Sequence, residues 1–191
     1  MTLNEDKATL RRTMLAWRAG LGESERSSAA AGLVAAIRRE RPVEAPAVVA
    51  GFWPIKDEID IRPLMSALLN DGCRLALPVV HKRGEPLSFR AWRPGDALEA
   101  GAFGTLQPLA SCEALEPDAL LVPLLACDEE GYRLGYGGGF YDRTLQGLRK
   151  RRAVVAIGVG FDAQLVGSVP HGPEDERLDW LLTPERACAF V

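Results

Sequence analysis

"AVVAGFW", residues Ala47–Trp53, is an unbroken apolar run of strand length. A strand with one wet face alternates polar and apolar positions. A run without alternation predicts a strand covered on both faces, the situation of a parallel sheet held between helices. The flanking segments agree. "DIRPLMSALLNDG" reads as a helix, with Asp60 as its cap and Gly72 as its stop. "CRLALPVV" is a second strand, and "LSFRAW", Leu87–Trp92, alternates as an edge strand does. "DALLVPLLA" is again a buried strand, followed by a glycine cluster and a helix, "FYDRTLQGLRK". "AVVAIGVGF" and "LDWLLTP" supply two more strands.

Upstream, two helices are predicted. Asn4 caps the first, with Leu10, Met14 and Trp17 on its apolar stripe and Gly20 past its end. Ser24 caps the second, whose stripe runs through Leu33, Val34 and Ile37. Strand and helix thus alternate along most of the chain. The predicted fold class is α/β: a three-layer α/β/α sandwich with a mainly parallel central sheet, Rossmann-like, in one domain over residues 1–191. In such sheets ligands sit outside the carboxyl ends of the strands.

Composition narrows the function. The net charge of −3 argues against a general nucleic-acid surface. The short run Arg149, Lys150, Arg151, Arg152 reads as a solvated helix end. No apolar run is long enough to span a bilayer, and "MTLNEDKATLRR" lacks the apolar core of a secretory signal. Cys73, Cys112, Cys127 and Cys188 form no CxxC pair and no zinc spacing, which fits free thiols in a reducing cytoplasm. His81 and His171 are the only histidines, which excludes a histidine-rich metal site and leaves a serine- or cysteine-histidine triad little to draw on. There is no P-loop and no nucleophile elbow. "GVGFDA", Gly158–Ala163, matches a dinucleotide fingerprint by its glycines, but the next residues contain two prolines and no helix of normal length.

"RLGYGGGFYDR", Arg133–Arg143, carries the strongest chemical signal. A plain strand-to-helix turn needs one or two glycines. Gly135, Gly137, Gly138 and Gly139 instead clear side chains from the backbone, so that several N–H groups and a helix start can converge on an anion. Asp142 offers a carboxylate for a cation and Arg143 a guanidinium for a phosphate or carboxylate. Lys7 and Arg11, spaced i, i+4, share a helix face, solvated unless a ligand meets it. Glu58 follows the Ala47–Trp53 strand at its carboxyl end, where it can accept hydrogen bonds from a heterocycle's N–H groups.

These segments together resemble the 5-formyltetrahydrofolate cyclo-ligase family, also called 5,10-methenyltetrahydrofolate synthetase, over nearly the whole chain. The resemblance rests on the Lys7–Arg11 helix, "FWPIKDEID", "LLVPLLACDEEGYRLGYGGGFYDR" and "GFDAQLVGSVPHGPEDERLDWLLTP", in that order. It implies an ATP- and Mg2+-dependent ring closure in which the γ-phosphoryl group of ATP activates the formyl oxygen, the neighbouring folate nitrogen attacks, and phosphate leaves. It implies ATP contacts at Lys7, Arg11 and the loop Arg133, Leu134, Gly135, Tyr136, Gly137, Gly138, Gly139, Phe140 and Tyr141. Arg133 and Tyr141 are the implied catalytic residues. Trp53, Glu58 and the inner loop, Tyr136–Phe140, would meet the folate, whether or not polyglutamylated, and Asp142 and Asp179 would hold magnesium. A monomer in the cytoplasm, with no nucleic-acid or membrane partner, completes the expectation. This chain departs from the family at three positions: Phe140 stands for a frequent tyrosine, Gly138 for a lysine of some members, and Trp53 for a smaller aliphatic residue. Two other readings stay open on the residues alone. One is another ATP-dependent ligase or transferase acting on an amide or carboxylate; the other is a non-catalytic folate-binding module, which would need neither phosphate ligands nor a metal site.

Overall fold

The computed structural model describes residues 2–190. Two helices come first, α1 (Leu3–Ala19) and α2 (Glu23–Glu40). Their caps differ from expectation. The Thr2 hydroxyl accepts from Glu5 N, and the Glu5 carboxylate accepts from Thr2 N at 2.7 Å. Gly22 N likewise donates to the Glu25 carboxylate at 2.8 Å. A glutamate three residues into each helix ties back to the cap position, so Asn4 and Ser24 fall inside the first turn.

The Ala47–Trp53 run contributes β1 (Val48–Ala50), shorter than the run itself. Then come α3 (Arg62–Asn70), β2 (Arg74–Val79) and β3 (Ser88–Ala91). Asp60 stands one place before the α3 cap residue Ile61, and its Oδ1 accepts from Arg62 N at 2.9 Å. A small hairpin follows, β4 (Leu98–Ala100) and β5 (Leu106–Pro108). The central strand β6 (Ala119–Pro123) leads to a second hairpin, β7 (Ala126–Cys127) and β8 (Arg133–Leu134), before the glycines and α4 (Phe140–Arg149). The chain ends with β9 (Val155–Val159), β10 (Trp180–Leu182) and β11 (Ala187–Ala189).

The sheet has seven strands in the order β11-β10-β9-β6-β1-β2-β3. Its inner pairings are parallel, and only the edges β3 and β11 run antiparallel. From β1 the chain builds outward through β2, then returns to the other side of β1 with β6. The strand order therefore reverses between β1 and β6, and a crevice opens at their carboxyl ends.

Layering follows from side-chain alternation. Leu120 and Val122 of β6 pack with Leu145 and Leu148 of α4. Leu121 packs on the opposite face with Leu33 and Ile37 of α2 and Leu64 and Leu68 of α3. All three β6 residues are fully buried, each contributing about 1.5–3 kcal/mol of burial. A charge at Leu121 would break the α2–α3 layer. A third cluster joins Met14 of α1 to Leu125, Ala126, Leu134 and Val169, setting α1 against the β7–β8 hairpin.

The basic run is not simply a solvated end. Arg149 pairs with Glu176 at 2.8 Å and Asp179 at 2.9 Å, Arg151 with Glu116 at 3.0 Å, and Arg152 with Asp118. Lys150 alone in the run is exposed without such a role among the described residues. Gly158–Ala163 runs into a single 3-10 turn at Asp162–Gln164, not the helix that a dinucleotide site needs. No helix among the described residues is long and apolar enough to cross a membrane.

Candidate active site

The crevice holds a cavity of about 500 Å³, within the usual range for ligand clefts. Its floor is formed by residues that follow β1 (Phe52, Trp53), β2 (Val80) and β6 (Pro123 at its end). One wall is α1. Lys7 and Arg11 lie one turn apart on it and both reach the cleft. Lys7 Nζ pairs with Asp175 Oδ2 at 2.5 Å, and Arg11 Nε donates to the Gly135 carbonyl at 2.8 Å.

The glycine loop runs beside α1, in contact with Arg11. Gly139 is the N-cap of α4 at φ 64°, and Gly137 has φ 95°. Both values lie in the left-handed region, where a Cβ is costly. At Gly137 a Cβ would also meet the Arg11 guanidinium at 3.4 Å. The first N–H groups of α4 have no intrahelical acceptor, and Phe140, Tyr141 and Asp142 of that turn line the cleft. An anion there gains both hydrogen bonds and the helix dipole. Arg143 does not face a ligand as its type suggested. Its Nη2 donates to the Gly138 carbonyl, and its guanidinium lies 5.7 Å from the Phe140 ring. It holds the loop instead.

Arg133, 8% exposed, donates from Nη1 to the Glu176 carbonyl at 2.9 Å and from Nη2 to Asp142 Oδ1 at 3.0 Å. Tyr141 also lines the cleft. Burial, and then the charge of Glu58, hold its hydroxyl well above the ordinary tyrosine range, so it stays protonated and acts as a donor.

Across the cleft, Glu58 Oε2 accepts from Ile55 N at 2.9 Å. Burial raises the Glu58 pKa; the Ile55 N–H, the charge of Arg18, the Tyr136 hydroxyl and Lys56 act against that rise. Trp53 packs edge-on against Trp92, centroids 6.0 Å apart, with Arg62 5.6 Å from its ring centroid. A flat apolar surface and a hydrogen-bond acceptor therefore meet on one side, and cations and free N–H groups on the other.

Asp142 and Asp179 are not brought together. Asp142 stands in the first turn of α4 and lines the cleft. Asp179 Oδ2 instead accepts from Ala156 N at 2.7 Å and from Arg149 Nη2 at 2.9 Å, at the far end of α4. Residues 142 and 149 are about 10 Å apart along a helix axis, and Glu176 and Arg149 stand between the two carboxylates. Among the described residues, no three His, Cys, Asp or Glu side chains gather as a metal cage.

Two cleft residues and one buried beneath them are not marked in the sequence reading. Asp175 lines the cleft and caps Gly172 N at 2.7 Å. Phe103, 61% exposed at the tip of the β4–β5 hairpin, stands 5.7 Å from Phe140. Arg18 lies buried beneath Tyr136. Only Arg18 had a usable signal: it sits seven residues after Arg11, on the same helix face.

The chain is similar to known proteins of one family. A family model described as the 5-formyltetrahydrofolate cyclo-ligase family matches residues 3–184. The 5-formyltetrahydrofolate cyclo-ligase of Mycolicibacterium smegmatis is 36% identical over 146 residues, spanning 72% of this chain and 74% of that protein. The enzyme of the same name from Escherichia coli K12 is 35% identical over 150 residues, spanning 76% and 82%. Among solved structures, Aquifex aeolicus 5,10-methenyltetrahydrofolate synthetase aligns with a TM-score of 0.80 at 31% identity, covering 96% of this chain and 92% of that one. The Mycoplasma pneumoniae synthetase aligns at 0.75 and 25% identity, covering 94% and 99%.

Proposed function

We propose, from the premise that the chain belongs to the 5-formyltetrahydrofolate cyclo-ligase family, that the cleft lined by α1 and the glycine loop is where the reaction takes place. The protein converts 5-formyltetrahydrofolate to 5,10-methenyltetrahydrofolate with ATP, releasing ADP and phosphate. A formamide carbon is a poor electrophile because its nitrogen delocalises into the carbonyl. Transfer of the γ-phosphoryl group to the formyl oxygen makes that oxygen a leaving group. The neighbouring folate nitrogen attacks the carbon, the C–O bond breaks with its electron pair on phosphate, and a proton is lost. Closure within one molecule gains from proximity.

Each residue has a part in this reading. Lys7 and Arg11 take the triphosphate, with the N–H groups of Gly135–Tyr141 around it. Lys7 exchanges Asp175 for phosphate when it does so. Glu58 accepts pterin N–H groups, and Trp53 packs on the ring. Tyr136–Phe140 lie between the two ligands. Arg133 fixes Asp142, and the protonated Tyr141 donates to charged oxygen. Asp142 fits a magnesium position, since magnesium takes one or two carboxylates and completes its shell with phosphates and water. When bound, the ion neutralises charge on the transferring phosphoryl group. Asp179 does not fit beside it, because it stands outside the cleft lining, at the Ala156 end of β9 with Arg149. We further place the protein in the cytoplasm, acting as a monomer.

The observation that carries the reading is the meeting, in one cleft, of two α1 cations, a glycine-opened helix N-terminus, and the Glu58–Trp53 surface. The test is purified protein with 5-formyltetrahydrofolate, ATP and magnesium, followed by the near-ultraviolet absorbance of the methenyl product. Product that depends on ATP is expected. No product from folded protein refutes the activity, and product without ATP refutes the mechanism.

A further inference from the structure

Arg18 is 1% exposed, the largest of the fully buried side chains among the described residues. A guanidinium taken out of water needs compensation, yet Arg18 joins no ion pair among those found in the described residues. Its Nη2 donates to the Tyr136 hydroxyl, and its Nε has no hydrogen-bond partner. The guanidinium carbon lies 5.7 Å from the Tyr136 ring centroid. Tyr136 itself is 39% exposed, with its ring in the cleft. Its hydroxyl also faces Glu58. A buried cation, a tyrosine hydroxyl and a half-buried carboxylate thus form a chain leading from the interior of α1 to the folate side of the cleft. For stability alone, an apolar residue would serve better at this position.

We propose that Arg18 is a positioning residue for the folate half of the cleft: from beneath, it fixes Tyr136 through the hydroxyl and sets a positive charge under the Tyr136–Glu58 pair that meets the pterin N–H groups. This rests on the reading above that Glu58 meets the folate. Four charged or titratable groups bear on Glu58: Arg18 from α1, Tyr136 from the glycine loop, Tyr141 from α4 and Lys56 from its own loop. Lys56 is exposed and screened. Without Arg18, burial of Glu58 is opposed mainly by the Ile55 N–H and Tyr136, and the carboxylate binds a proton more readily. The triphosphate side, held by Lys7 and Arg11, stays unaffected.

The experiment compares the wild type with Arg18→Met, Arg18→Lys and Tyr136→Phe. Separate KM values for 5-formyltetrahydrofolate and ATP are measured, with kcat/KM for the folate across pH and a thermal melt of each variant. Arg18→Met should raise the folate KM about tenfold while the ATP KM stays within about twofold. The acid limb of its folate kcat/KM should move to higher pH. Arg18→Lys should recover part of the loss, and Tyr136→Phe should move both readouts in the same direction. A purely structural Arg18 would lower the melting temperature without splitting the two KM values or moving the acid limb, and that result overturns the proposal. If Arg18→Met does not fold, Tyr136→Phe decides: an unchanged folate KM and an unmoved acid limb overturn it. A wild type that makes no methenyl product removes the reading of the cleft, and the proposal falls with it. A wild type that turns over beside an Arg18→Met variant indistinguishable from it removes the proposal alone.

Discussion

Glu58→Gln should make the protein more stable and a poorer enzyme at the same pH. Glu58 is half-buried, and burial raises its pKa above that of the unfolded chain. For a group whose folded pKa is raised, the stability contribution is fully present below the unfolded pKa and is lost as pH rises through the folded pKa. At neutral pH the native protein therefore carries the cost of a buried charge. Glutamine keeps the shape, and its carbonyl can still accept from Ile55 N, now 2.9 Å from Glu58 Oε2. The melting temperature of the variant should exceed that of the wild type at neutral pH, and the gap should close as pH falls toward the ordinary carboxylate range. Folate binding should move the other way. A hydrogen bond to a charged group contributes about 1.5–3 kcal/mol, so its loss weakens folate binding roughly 10- to 150-fold. ATP affinity should be nearly unchanged, because Lys7, Arg11 and the α4 N-terminus lie across the cleft. Calorimetric melts over a pH series and separate titrations with each ligand test both halves. A variant less stable than the wild type at neutral pH, or equal losses for the two ligands, would refute the reasoning and make Glu58 a structural residue.

Lys7→Ala should raise the KM for ATP by a similar factor and barely move the melting temperature; a clear stability loss with normal ATP use would return Lys7 to the role of a surface helix residue tied to Asp175. Asp142→Asn should raise the magnesium concentration needed for turnover. Asp179→Asn should instead lower the melting temperature, by loosening Arg149 and Ala156 N, and leave the magnesium dependence alone; an equal magnesium effect from Asp179→Asn would restore the paired metal site. Gly137→Ala should lower kcat/KM for both ligands, since a left-handed φ with a side chain costs about 1 kcal/mol or more in the loop that touches Arg11; an unimpaired variant would mean that the loop relaxes freely.

The layers were legible because burial on both faces leaves a local mark. Leu120, Leu121 and Val122 are apolar in succession, and that demands a helix on each side. Lys7 and Arg11 were legible because helical spacing puts them on one face. What escaped is set by distant partners or by very short elements. Ala187–Ala189 is an edge strand of three small residues without a pattern, so β11 was not foreseen. The hairpin β4–β5 has strands of three residues and β7–β8 strands of two, too short to leave a pattern, so in the sequence the glycine loop reads as following β6 directly. Arg149 reads as a solvated cation until Glu176 and Asp179 are brought to it from 27 and 30 positions away. That same pairing separates Asp179 from Asp142. The burial of Arg18 leaves no local mark, because it depends on Tyr136, 118 positions later. Phe103 sits at φ 58°, beside Gly104, in a turn with no periodic signal.

The Lys7–Asp175 pair joins residues 168 positions apart, which places the site on the clock of protein synthesis. One wall of the cleft leaves the ribosome among the first residues, and its counterpart follows roughly 8–34 s later at about 5–20 residues per second. Until the glycine loop is made α1 lacks its Arg11–Gly135 contact, 124 positions apart, and until Asp175 follows Lys7 has no partner in the cleft. Nucleotide binding by the growing chain should therefore switch on late and abruptly, after residue 175 has emerged, rather than rise in step with length.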